Sequence, residues 1–121
     1  MPSADQIRAT VAAYVDAYAR NDKDAFLALW APGGVLEDPV GTPAHEGTDA
    51  IGAFWDTARQ MADRIVLEPE QVIAAGDEAV MVMQVHAHVG DAEMVIPVVD
   101  LMRVDDDGRL VSVRAFWNMG G

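Results

Sequence analysis

The sequence predicts an α+β domain over residues 1–121, and three observations carry that prediction. Apolar residues recur at helical intervals through the first third of the chain. From about Arg64 the period changes to two, as in half-buried strands. Three short breaks, Gly76-Asp77, Gly90-Asp91 and Asp105-Asp106-Asp107-Gly108, then divide the second half into four segments joined closely enough for hairpins. Helices first and strands afterwards is the segregated order of an α+β architecture.

Taken in order, Ser3 and Gln6 have the spacing of a capping box. Behind them Ile7, Val11, Tyr14, Val15 and Tyr18 form one stripe, which puts Tyr14 on the buried side of a first helix. Asn21 and Asp22 break that helix and can cap a short second one, expected to run to Leu29 or Trp30 and to stop at Ala31-Pro32-Gly33-Gly34. Val35 to Asp38 reads as a short extended piece, because Pro39 disfavours the helical region for Asp38. Thr48 is the expected cap of a third helix with an apolar face of Ile51, Phe54, Trp55, Ala58 and Met61.

Strands are expected at about 64–75, 78–89, 93–104 and 109–117, an antiparallel meander. Long strands of this kind curl, and helices on one face would close a cone around an interior cavity. The other face carries Val95, Val99 and Leu101, so a sheet apolar on both sides calls for a second cover; a homodimer supplies it.

Composition narrows the function. Hydrophobic residues make up 51% of the chain, and the formal net charge is −12 from 20 acidic and 8 basic residues. Such a surface repels phosphate backbones, so nucleic acid is not an expected partner. It also disfavours anionic small molecules at long range and leaves neutral or cationic ones. Cysteine is absent, which removes thiol catalysis and cysteine-based zinc sites. No apolar run approaches the roughly 18 residues of a membrane span, and no basic start leads into a signal segment. The expectation is a cytoplasmic protein with no membrane association.

Asp100 is the most unusual residue. It shares its strand face with Met94, Ile96, Val98, Met102 and Val104, where burial penalises the charged carboxylate. Arg103 is adjacent in sequence but points to the opposite face. Asp100 is therefore either a core acid satisfied by backbone or a buried cation, or a neutral hydrogen-bond donor. Asp38 ends a short strand beside a proline-glycine turn, where a carboxyl serves either as a turn former or as a base held by a scaffold. Tyr14 either parks its hydroxyl on a core acceptor or offers it to a ligand. Together, a base, a phenol and a neutral acid beside one apolar cavity are the parts needed to move a proton next to a carbonyl.

His86 and His88 share a strand face, opposite Met81 and Met83, with no third ligand nearby, so no metal site and no cofactor is expected.

The chain resembles the ketosteroid isomerases of the SnoaL-like, NTF2-like superfamily nearly end to end. The resemblance is carried by Tyr14-Val15-Asp16-Ala17, Ala28-Leu29-Trp30-Ala31, Glu37-Asp38-Pro39-Val40-Gly41, Gly47-Thr48-Asp49-Ala50-Ile51, Phe54-Trp55, Pro97-Val98-Val99-Asp100 and Val113-Arg114-Ala115-Phe116-Trp117. It implies an NTF2-like cone of three helices on a curved antiparallel sheet. It further implies Asp38 as general base, with Tyr14 and a protonated Asp100 as donors to the enolate oxygen, the logic of a carboxylic acid kept neutral by an apolar site. The substrate it implies is a small apolar ketone, a 3-oxo-Δ5-steroid, whose proton moves from C4 to C6. Trp117 falls near the base, and Met81, Met83, Val85 and Trp55 are expected to line the substrate's path or simply to be core.

Some family members back the oxyanion tyrosine with further tyrosines, and Trp30 and Trp55 stand at those places here. Tyr18 is read only as core. Polyketide cyclase-like and dehydratase-like enzymes share the scaffold and usually carry a cavity histidine, which is not expected in this chain. A non-catalytic module binding apolar ligands is the other alternative.

Overall fold

A computed structural model describes residues 1–118; residues 119–121, the end of the expected domain, lie outside the described residues. Helix α1 spans Ala4–Ala19 and starts as expected, with the Ser3 hydroxyl accepting from the Gln6 amide at 3.1 Å. Asn21 takes a left-handed turn, and Asp22 caps α2 (Lys23–Ala28) by accepting from the Ala25 amide.

The segment expected to be a stop is instead the start of a strand. β1 runs Trp30–Glu37, and its ladder to the last strand skips from Trp30 to Val35. Gly33, at φ +73°, supplies the backbone conformation that lets Ala31–Gly34 bulge without leaving the sheet. β2 is only His45–Glu46 and pairs with β1. Helix α3 spans Thr48–Met61, but its cap is Gly47, with no side-chain bond; Thr48 is already helical. Ile51 and Trp55 are buried as expected, whereas Met61 is 71% exposed because α3 runs past the core there.

The four-stranded meander is present: β3 Arg64–Ala75, β4 Glu78–Val89, β5 Ala92–Val104 and β6 Leu110–Phe116. β1 and β2 extend it to a curved, unclosed six-stranded sheet in the order β2-β1-β6-β5-β4-β3. β1 lies parallel to β6, so the sheet is mixed, and the crossover between them carries α3 and the meander. The three helices cover one face, where Met81, Met83, Val98, Met102, Val113 and Ala115 meet Ile7, Tyr14, Phe26 and Trp55.

At Gly34 a Cβ would sit 2.8 Å from Trp30 Cε3 and 3.2 Å from the carbonyl oxygens of Ala31 and Leu110. Two of those three neighbours are backbone and cannot swing away. Gly34→Ala is expected to cost about 1–3 kcal/mol, as overpacking does, read as a lower urea midpoint at an unchanged slope.

Candidate active site

Asp100 lies in the middle of β5. Its ladder partners are Met81 on β4 and Ala115 on β6, and along its own strand Val98 and Met102 share its face. All four are buried, and Asp100 itself is 2% exposed, with Oδ1 lacking a hydrogen-bond partner among the described residues. Ile96 is partly buried; Met94, expected among these neighbours, is 59% exposed because the end of β5 projects beyond the helices. Arg103 does point away, pairing with Asp77 at 3.1 Å. Burial first, and the charge of Asp38 second, push the Asp100 carboxyl well above the usual range.

Asp38 follows β1 at a cis peptide to Pro39. The turn is pinned to β6 by the Val40 amide donating to the Ala115 carbonyl at 2.8 Å, and closed by the Thr42 amide and hydroxyl donating to the Pro39 carbonyl. The Trp117 indole N–H donates to Asp38 Oδ1 at 2.6 Å. Desolvation raises the Asp38 pKa, while the Trp117 bond and then the charge of His45 pull it back. The two carboxyls thus differ in environment: Asp100 has apolar flanks and no donor to Oδ1 among the described residues, whereas Asp38 has an aimed donor in Trp117.

Tyr14 completes the cluster. Its hydroxyl pKa is raised by burial, then by Tyr18, Asp100 and Asp38 in turn, so both carboxyls lie close enough to act on it. The structure therefore brings Tyr14, Asp38, Asp100 and Trp117 together. Met81 flanks Asp100 in register, Met83 lies one pair further along opposite Val98, and Val85, opposite Ile96, is only partly buried. Trp55 packs against Tyr18 and Phe26 at 5.0 and 4.6 Å between ring centres. Cavities of about 280 and 430 Å³ lie elsewhere, one on the α1–β3 seam at Arg8, Val11, Val15 and Val72, the other by the N-terminus and Arg103; neither includes a member of the cluster.

Three neighbours were not expected. Tyr18, one turn beyond Tyr14 with ring centres 5.3 Å apart, couples to the Tyr14 hydroxyl and feels Asp38 more strongly than Asp100. The i, i+4 spacing of the two tyrosines was the available signal. His45, on β2 and stacked on Phe54 at 5.1 Å, brings a histidine near Asp38 where none was expected. Only the β1–β2 pairing makes it a neighbour. Arg59 lies over Trp55. Trp30 keeps its indole nitrogen buried without a partner among the described residues, and the phenol beside Tyr14 is Tyr18. His86 is held by Glu93 at 2.6 Å and Glu68 at 2.9 Å on the outer sheet face.

The SnoaL-like domain family matches residues 11–113. A steroid Δ-isomerase of Nocardioides simplex is 36% identical over 115 residues, covering 95% of this chain and 92% of that protein. This chain belongs to the SnoaL-like family. Within it the chain stands with the ketosteroid isomerases and is an enzyme of the isomerase class. Among solved structures, the epoxide hydrolase/cyclase-like enzyme SalBIII, from pyran ring formation in polyether salinomycin, superposes with a TM-score of 0.89 at 23% identity, covering 99% of this chain and 96% of its own. Mycobacterium tuberculosis Rv0760c, in complex with estradiol-17β-hemisuccinate, gives 0.85 at 25% identity, with 95% of each chain covered. The NTF2-like fold of the family is the one described above.

Two outcomes follow from the split carboxyls. The Trp117 N–H bonds the ionised form of Asp38, so Trp117→Phe will raise the Asp38 pKa and move the acid limb of any Asp38-dependent activity to higher pH. Asp100 keeps its proton in the folded state at pH values where an unfolded aspartate, with pKa about 3.9, has lost it. Stability therefore falls as pH rises from that value through the raised folded pKa. Asp38 contributes in the same sense. In urea unfolding series upward from about pH 4, Asp100→Asn is expected to show a shallower fall than the parent protein.

Proposed function

We propose that the protein is a Δ5-3-ketosteroid isomerase. The observation that carries this reading is the pair of carboxyls with opposed environments beside one buried phenol. Asp38, the carboxyl with the lower barrier to ionisation, takes a proton from C4 of a 3-oxo-Δ5-steroid. The electrons move into a dienolate, and the same carboxyl returns the proton at C6. Tyr14 and protonated Asp100 donate to the oxygen as its charge develops, already aimed and shielded from water. The unpartnered Asp100 Oδ1 and its apolar flanks support that role, since a neutral acid there can only donate to something that arrives.

Trp117 orients the base through its 2.6 Å bond. Met81, Met83, Val85 and Trp55 supply the apolar surface that a steroid skeleton needs, with methionine adapting to its outline. The steroid Δ-isomerase relative and the estradiol conjugate carried by Rv0760c support an apolar ligand of this class. His45 near Asp38 favours a second reading, a cyclase-type or dehydratase-type reaction using the same base with a histidine partner. No metal or organic cofactor enters either scheme.

A homodimer is part of the proposal. Val95 and Phe116 stand exposed on the outer sheet face, with Val99 and Leu101 between, and a second copy would cover them.

Purified protein is expected to convert 5-androstene-3,17-dione to the conjugated 4-ene, seen as growing enone absorbance. A rate no higher than that of Asp38→Ala would reject the isomerase. Tyr14→Phe should lower the rate by roughly 10²–10³. Asp100→Asn, which keeps a donor, should be milder than Asp100→Leu; equal damage from the two would make Asp100 structural.

A further inference from the structure

In a chain with 20 acidic residues and only 8 basic ones, a side-chain cation has carboxylates in abundance. Lys23, Arg103 and Arg114 each take one near the surface, and Arg20 takes two. Arg59, on α3, is placed differently. Its guanidinium lies 3.8 Å from the centre of the Trp55 ring and 5.4 Å from that of Tyr18. Its Nε donates to the side-chain oxygen of Asn21. Nη1 and Nη2 are shut off from solvent and donate to nothing among the described residues. Burial lowers the Arg59 pKa, and Tyr18 is the neighbour that opposes this.

Two buried donors of a charged group left unmet are costly, more so than neutral ones. Stacking on Trp55 fixes the plane of the guanidinium, and the Asn21 bond fixes its rotation within that plane. The remaining edge is a rigid two-nitrogen fork, the shape that takes a carboxylate through two parallel hydrogen bonds. Tyr18 links this edge to the catalytic cluster, because its hydroxyl feels both Asp38 and Arg59. Asp38 and Asp100 owe their shifts to other groups, so Arg59 is not the partner of either carboxyl.

We propose that Arg59 binds a carboxylate at the far end of the substrate, so that the enzyme acts on an apolar ketone bearing an acidic side chain. The proposal rests on the isomerase reading and specifies its substrate class. It narrows the expectation, drawn from the net charge, that anions are disfavoured. That argument concerns long-range approach, which salt screens, whereas a buried fork acts at contact.

The test compares two 3-oxo-Δ5-steroids alike except at C17, one a neutral ketone and one a carboxylate, turned over by the full-length protein. Arg59→Met keeps the apolar stem and drops the charge; Arg59→Lys keeps the charge and loses the fork. Arg59→Met is expected to lower kcat/KM for the acid about ten- to a hundredfold more than for the ketone, mainly through KM. Arg59→Lys should fall between and decides the matter alone if the methionine variant does not fold. Equal losses on both substrates would make Arg59 a clamp between α1 and α3 and overturn the proposal. So would a parent enzyme with no preference for the acid, while leaving the isomerase reading intact. Calorimetric binding of the 4-ene-3-one-17-carboxylate separates the remaining case. If neither steroid is isomerised but this acid binds in an Arg59-dependent way, the carboxylate site stands and the isomerase reading falls.

Discussion

The arrangement depends on one constraint: a carboxyl on the central part of β5 is enclosed by Met81, Ala115, Val98 and Met102 and finds no hydrogen-bond partner for Oδ1 among the described residues. An ionised group there would carry a desolvation penalty that nothing nearby offsets. Burial therefore raises the Asp100 pKa and favours the protonated carboxyl. The charge of Asp38 raises Asp100 further, while Asp38, itself raised by desolvation, is lowered in part by the Trp117 bond and then by His45. The two aspartates therefore differ in surroundings: Asp38 has the Trp117 indole as a donor, whereas Asp100 Oδ1 has none among the described residues.

The fold follows from the need to build that contrast. β4, β5 and β6 put apolar side chains on both flanks of Asp100, and the helices cover them. β1 lies beside β6, so the turn after it brings Asp38 over the same end of the sheet, where the Val40 amide anchors it to Ala115, the ladder partner of Asp100. α1 contributes Tyr14 from above. Each member comes from a different element, which makes the site a property of the packed domain and of no single segment.

Much of this was legible in the sequence. The change of period at Arg64 and the glycine-aspartate breaks located the meander within a residue or so, since hairpin geometry and alternation leave traces in residue type. Asp100 stood out because an acid at the centre of an apolar alternation has few explanations. The bulged start of β1 was not legible: Pro32, Gly33 and Gly34 read as a stop, and only pairing with β6 holds them in the sheet. Gly47 likewise took the cap position from Thr48. His45 and Arg59 were missed for a common reason. His45 meets Asp38, and Arg59 meets Asn21 and Tyr18, only through tertiary approach, which local patterns do not record; the i, i+4 spacing of Trp55 and Arg59 on α3 was the one signal available.

The central claim is that Asp100 is uncharged when Asp38 is charged. The direct measurement is a carboxyl carbon-13 NMR titration of aspartate-labelled protein, with Asp38→Asn and Asp100→Asn variants to assign the two resonances. The account predicts that near neutral pH the Asp100 signal stays at the protonated position while the Asp38 signal has moved to that of a carboxylate. An Asp100 signal that titrates with the surface aspartates, at an ordinary pKa, would contradict it.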